Sequence, residues 1–334
     1  MIRKYRSPEY NYNFNTKTGF FVKWGKTLEE DPIVSPANEI ADIEVSTVCN
    51  QKCPWCYKSN TSDGKHMSLD TFKKLLDKIL ESNKVLTQIA FGSGATAEEN
   101  PDMWKIMEYC RENGIIPNIT VADISNETAD KLVKYCGAVA VSRYFNKNKC
   151  YDSVQKLSSR GLKQVNIHHL ICTETYESAI ETINDIKTDE RLKGLNAIVF
   201  LSLKQKGRAV QSGYTQLSQD KYNDLVNLCF EKKIGFGSDS CGAHKVRYAI
   251  KDRSDKESIE QMIENCESSL SSLYFNVDAE VFPCSFTEGT KDWEKGIDVL
   301  GCDNFVNNVW NNSRLVEFRN SLLNKCRNCP VYEI

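Results

Sequence analysis

From residue 41 to about residue 233 the chain alternates short apolar, β-branched runs with amphipathic stretches, and this rhythm restricts the fold more than any other feature. The runs Ile43–Val48, Leu86–Gly92, Ile116–Ala122, Ala138–Tyr144, Gln164–Ile171 and Ala197–Leu203 read as strands. The stretches Leu69–Leu80, Asp102–Glu112, Ala129–Tyr135, Ser153–Ser158, Tyr176–Ile186 and Asp220–Phe230 place apolar residues at i, i+3, i+4 spacing and read as helices. Ser68 suits the N-cap of the first helix, and Asn100-Pro101 suits a cap followed by proline at the first helical position. Strand–helix units in unbroken succession call for a parallel sheet with right-handed crossovers. The fold class is therefore α/β. Periodicity alone leaves an open doubly wound sheet and a partial barrel both available.

Directly after the first run, Cys49-Asn-Gln-Lys-Cys53-Pro-Trp-Cys56 places three cysteines in C-x3-C-x2-C spacing. Cysteine thiolates are the usual protein ligands of iron–sulfur clusters. Three of them on one short loop can hold three irons of a [4Fe–4S] cube and leave the fourth open to a non-protein ligand. The chain carries 14 cysteines in 334 residues, so chance spacing is the alternative.

With Trp55 before the third cysteine, this segment resembles the hallmark of the radical S-adenosylmethionine (radical SAM) superfamily, C-x3-C-x-φ-C with an aromatic φ, placed after the first barrel strand. The resemblance implies a partial (β/α)6 TIM-like barrel over 41–235. It implies that the open iron chelates S-adenosylmethionine, whose one-electron cleavage gives a 5′-deoxyadenosyl radical that takes a hydrogen from substrate. Flavodoxin or ferredoxin would supply the electron. It further implies cofactor contacts from Trp55, from Gly92, Ser93 and Gly94 after the second strand, and from Ser142 and Arg143 at the end of the fourth. Ala95 departs from the family, which has glutamate there. The same stretch matches G-x-G-x-x-A, but the next helical pattern starts beyond the glycines, so no helix N-terminus meets a dinucleotide phosphate. Lys206-Gly207-Arg208-Ala209 resembles the G-R-A turn of the SPASM and Twitch subgroups.

A second cysteine set follows. A helix is expected to end at Cys266, and a hairpin with its turn at Asp278-Ala279 leads to Cys284. A last helix, Leu315–Leu323, leads into Cys326-Arg-Asn-Cys329. The pattern resembles the Twitch auxiliary-cluster domain, with Ala279 where that family has glycine. A full SPASM domain carries further cysteines after the C-x2-C pair, and residues 330–334 hold none. The resemblance implies that Cys266, Cys284, Cys326 and Cys329 ligate one auxiliary [4Fe–4S] cluster over 236–334. The same four thiolates would also suit a structural zinc ion.

Residues 1–40 form an aromatic and asparagine-rich extension in which Phe14–Trp24 reads as a β-hairpin turning near Thr18-Gly19, too short for a full peptide-binding domain. The adjacent His168 and His169 must face opposite sides of the fifth strand, and His168, Cys241 and His244 are the candidate catalytic residues. Cys110, Cys136, Cys150, Cys172, Cys229 and Cys302 read mostly as small buried apolar residues. A net charge of −2 offers no reason to expect a nucleic-acid partner. The basic N-terminus lacks the apolar core of an export signal, and no apolar run approaches a membrane span, so a cytoplasmic location is expected. The resulting reading is a radical SAM oxidoreductase acting on a peptide or protein side chain. A radical SAM dehydrogenase of a small polyol or amino-sugar, and a non-catalytic iron–sulfur or zinc scaffold, are the alternatives.

Overall fold

The computed structural model describes residues 2–92 and 96–332. Three antiparallel strands, β1 (Ile2–Arg6), β2 (Asn11–Asn15) and β3 (Phe21–Trp24), open the chain. The expected hairpin is β2–β3, turning through Gly19 at φ +75°. β1, which lacks an apolar run, gave no strand signal in the sequence.

The central sheet follows with β4 (Ile40–Ile43), β5 (Gln88–Phe91), β6 (Ile116–Val121), β7 (Ala138–Ser142), β8 (Gln164–Ile171), β9 (Ala197–Ser202) and β10 (Phe236–Ser238). Helices α1 (Leu69–Ser82), α2 (Met103–Glu112), α3 (Asn126–Tyr135), α4 (Lys147–Ser158), α5 (Tyr176–Thr188) and α6 (Gln219–Glu231) connect them. All these strands are parallel neighbours in chain order. The helices cover the outside; α1 buries Phe72, Leu75, Leu76 and Ile79 along one stripe, each worth roughly 1.5–3 kcal/mol of transfer energy. Ser68 caps α1 as expected, its hydroxyl accepting from Thr71 N at 3.1 Å.

The C-terminal region carries α7 (Ala243–Ile250), α8 (Lys256–Glu260), the hairpin β11 (Ser272–Phe275) and β12 (Glu280–Phe282), a two-residue β13 (Ile297–Asp298) and α9 (Ser313–Asn324). β11 pairs parallel with β4, so the hairpin extends the central sheet, and β12 and β13 add to it antiparallel. The carboxyl ends of β4 to β9 all face one cavity, which makes the sheet a partial barrel rather than an open doubly wound one. The opposite end is plugged by the N-terminal sheet. Tyr10, Tyr12 and Phe14 pack on Ile116, and the Tyr12 hydroxyl meets Thr87 Oγ1 at 3.1 Å. Tyr10 reaches Ser35 at 2.7 Å and the Glu39 carboxylate.

The helix expected from Ser153 starts earlier, at Lys147, and three further differences from the sequence reading bear on the cysteine segments. The first strand ends at Ile43 because the extended residues beyond it leave the sheet. Thr47 N donates to Lys65 O, Met67 N to Val45 O and Cys49 N to Thr61 O, at 2.8–2.9 Å. Asn100 does not cap α2, which starts at Met103. Its side-chain amide instead donates to the carbonyls of Val45 (2.7 Å) and Met67 (2.9 Å), fixing that same extended segment. No helix ends at Cys266: α8 stops at Glu260 and the chain reaches Cys266 irregularly.

Candidate active site

Cys49, Cys53 and Cys56 ride on the loop leaving β4, and a distant segment holds that loop. Arg208, after β9, donates from its guanidinium to the carbonyls of Cys53 (2.9 Å), Asn60 (3.0 Å) and Gln51 (3.4 Å). Its backbone N–H donates to Cys56 O at 3.0 Å. The preceding Gly207 has φ +60°, and a Cβ there would stand 2.5 Å from Tyr57 O and 2.6 Å from Cys56 O. Glycine supplies both the backbone conformation and the clearance. Trp55 pins the loop from its other side, against the rings of Tyr144, Phe145 and Tyr214 at 6.2, 5.0 and 5.4 Å. Burial, then the neighbouring Cys56 and Cys49, push the Cys53 thiol up to about 11. The three thiols therefore sense one another, and a bound metal would have to displace their protons.

All three cysteines line a cavity of about 370 Å³ at the carboxyl end of the barrel. Gly92, Ser142, Arg143, Trp55 and His168 line it too; Ser93 and Gly94 lie outside the described residues. Arg143 is buried, pairs with Glu181 at 3.2 Å and bonds the Tyr144 carbonyl, yet its Nε has no partner. A buried spare donor beside the cavity fits a ligand carboxylate. His168 is pushed down to about 4 by burial and is neutral at pH 7. His169 faces α5, its Nδ1 donating to Leu170 O at 2.8 Å and its Nε2 meeting Ser178 Oγ at 3.2 Å.

Further lining residues escaped the sequence reading. Asp42, on β4, is pushed up to about 6 by burial and then by Glu44. Lys204 and Asp239 form a buried ion pair on the cavity wall, and Asp239 also accepts from Ser202 N at 3.0 Å and Ser202 Oγ at 2.9 Å. Burial opposes the Lys204 charge, but Asp239 and the Cys241 thiol outweigh it, so its pKa is raised. Asp42 had a signal, a carboxylate inside an apolar strand. Lys204 and Asp239 had none, since their pairing depends on β9 and β10 lying side by side.

The second cysteine set lies behind this wall. The Cys284 thiol, pushed up to about 11 by burial, neighbours those of Cys266 and Cys329. Cys326 is exposed. Cys241 and His244 do not line the main cavity. The structure corrects their placement: the turn after Asp239 carries them to a small void of about 10 Å³ shared with Cys266 and Cys329. The residues after Cys56 and Cys284 meet: Tyr57 donates to Ser285 Oγ at 3.1 Å and packs on Phe286 at 4.4 Å, and both partners line the main cavity. Buried Lys58 joins Glu44 (3.1 Å), Tyr274 (2.7 Å) and Glu288 beneath them. Among the described residues no three His, Cys, Asp or Glu side chains converge on a single-ion site. An all-thiol set at the cavity mouth has the donor chemistry of an iron–sulfur cluster. A larger groove, about 580 Å³, crosses Trp293 and Arg314 on the outer surface, and no cysteine lines it.

No protein-family model and no curated protein sequence matches the chain. Solved structures do. The chain is similar in fold to SuiB. Streptococcus suis SuiB bound to precursor peptide SuiA superposes with a TM-score of 0.68 at 13% identity, covering 86% of this chain and 67% of SuiB. SuiB bound to S-adenosylmethionine gives 0.64 at 13% identity, over 86% and 68%. At this identity the likeness to SuiB establishes a shared fold. Among the described residues no helix is long and apolar enough to cross a membrane.

Proposed function

We propose that this chain is a radical SAM enzyme that oxidises or cross-links a peptide or protein side chain. The observation that carries the reading is the meeting of Cys49, Cys53 and Cys56 with one cavity at the carboxyl ends of the barrel strands. A [4Fe–4S] cluster on these thiolates, reduced by flavodoxin or ferredoxin, would supply the electron that cleaves S-adenosylmethionine to methionine and a 5′-deoxyadenosyl radical. The chain's own residues bind and orient. Gly92 offers backbone to the cofactor; Ser142 and the spare Arg143 Nε hold its polar groups; Trp55 fixes the cysteine loop. Neutral His168 and the raised carboxyl of Asp42 are proton-holding groups on the cavity wall.

The C-terminal cysteines are read as one auxiliary [4Fe–4S] site in a Twitch-like unit at 236–334, appended to the barrel at 41–235 behind the extension at 1–40. Its position behind the cavity wall suits an acceptor for the second electron of an oxidation. SuiB, with its precursor peptide, favours a peptide substrate over a small polyol or amino-sugar. A cytoplasmic setting suits reduced clusters.

Anaerobic, iron-reconstituted protein with dithionite should form 5′-deoxyadenosine from S-adenosylmethionine. Deuterium passing into 5′-deoxyadenosine from a side-chain-deuterated peptide supports the peptide reading, and transfer from a deuterated polyol replaces it with the dehydrogenase. Absence of cleavage in fully reconstituted protein leaves the scaffold alternative.

A further inference from the structure

We propose that the fourth thiolate of the C-terminal site is Cys241, and that Cys326 is not a ligand. The inference rests on reading that site as an auxiliary cluster, and it reassigns one ligand within it.

Position is the first argument. Cys241 sits in the short turn Ser240–Gly242, which Asp239 caps by accepting from Gly242 N at 2.9 Å. That cap turns the chain back under β9, and the Cys241 thiol lands within electrostatic reach of Cys284 and Cys266. Cys284 and Cys266 in turn neighbour Cys329. Cys241, Cys266 and Cys329 also share the walls of one small void. Four thiols from four segments thus form one linked group, and Cys326 is not among them.

The last turn explains why. Cys326 and Arg327 both occupy left-handed backbone, at φ 52° and 63°. Arg327 reaches across to donate to Cys266 O at 3.0 Å and Asn265 O at 3.1 Å. This clamp draws Cys329 inward beside Cys266 and leaves Cys326 exposed. Spacing in the sequence makes the two cysteines of C-x2-C look equivalent, whereas the turn directs them apart.

Hydrogen bonding to sulfur is the third argument. Cluster thiolates accept N–H donors, which tune the cluster. The Cys329 sulfur accepts from Tyr332 N at 3.2 Å. Lys204, which lines the main cavity, stands within electrostatic reach of the Cys241 thiol.

The test compares Cys241→Ala, Cys241→Ser and Cys326→Ala in the full chain, each reconstituted anaerobically with iron and sulfide. Iron per chain and the electron paramagnetic resonance spectrum of the reduced protein are the readouts. Cys326→Ala should keep about eight irons, two cubes' worth, with the wild-type spectrum; Cys241→Ala should keep about four. Cys241→Ser, which offers oxygen for sulfur, should retain iron with an altered auxiliary signal. The spectral response of the remaining barrel cluster to S-adenosylmethionine shows that Cys241→Ala has folded. Wild-type iron and spectrum in Cys241→Ala overturn the inference. So does loss of iron in Cys326→Ala, alone or alongside Cys241→Ala. About four irons in the wild type itself would instead defeat the auxiliary-cluster reading, and this inference with it.

Discussion

The two cysteine sets are built in opposite ways. Cys49, Cys53 and Cys56 share one loop, with Arg208 and Trp55 holding its backbone and side chains from outside. The second set is gathered from the turn after β10, the irregular segment before β11, the end of β12 and the chain's last turn. A single loop supplies three ligands cheaply in loop-closure entropy but leaves a position open. Four segments can close a coordination shell, and metal binding there is coupled to the folding of the whole region. The same division separates catalytic from structural metal sites in general: one coordination position open, or none. Here the three-cysteine loop lines the cavity, and Cys241 of the second set lies within electrostatic reach of Lys204 on the cavity wall.

Variants that break one set while sparing the other measure this contrast. The largest effect is expected for Cys53→Ala: 5′-deoxyadenosine formation should vanish, while the auxiliary cube's share of about four irons remains. Undiminished cleavage would remove the loop from the chemistry. Next comes Gly207→Ala. Its Cβ would meet two carbonyls of the cysteine loop at 2.5–2.6 Å in left-handed backbone, so a loss of about 2–4 kcal/mol in denaturant unfolding is expected. Iron should be lost first from the loop set, and a variant as stable and iron-loaded as wild type would show that the clamp is dispensable.

The cavity lining gives a pH-dependent test. Asp42 has its folded-state pKa raised from 3.8 to about 6, so the folded chain binds the proton more tightly than the unfolded one. Its contribution to stability is then best at low pH, falls as pH rises from about 4 to about 6, and is fully unfavourable above that. Asp42→Asn should therefore stabilise the metal-free protein at pH 8 by up to about 3 kcal/mol, with the gain vanishing near pH 4. A gain that grows toward acid would contradict the burial of this carboxyl. The smallest effect is expected at Ala279, in the hairpin that carries Cys284. Glycine would relieve left-handed strain of roughly 1–2 kcal/mol at φ 62°. It would also lose a fully buried methyl and gain unfolded-state freedom, so Ala279→Gly should change stability by less than about 1 kcal/mol either way.

What could be read from the sequence was local. β8 occupies Gln164–Ile171 as its β-branched run indicates, Ser68 caps α1, and His168 and His169 face opposite ways because strand geometry demands it. The C-x3-C-x2-C loop was legible because its cysteines are close in sequence. The clamp on that loop was not, since Arg208 meets carbonyls about 150 residues earlier in the chain. The end of β4 was misplaced because extended chain paired with its own loop has the same composition as chain paired in a sheet. Cys241 looked like a substrate-site residue from its polar surroundings. Only the hydrogen-bonded turn at Asp239 shows that it faces the other cysteines.

The central claim is that an open cluster and a closed one occupy a single chain. Titrating S-adenosylmethionine into the reduced, fully reconstituted wild type while recording its paramagnetic spectrum tests this most directly. The account predicts about eight irons per chain and two signals, one shifting on addition of S-adenosylmethionine and the other unchanged. A single signal from about four irons, or two signals that both ignore the cofactor, would contradict it.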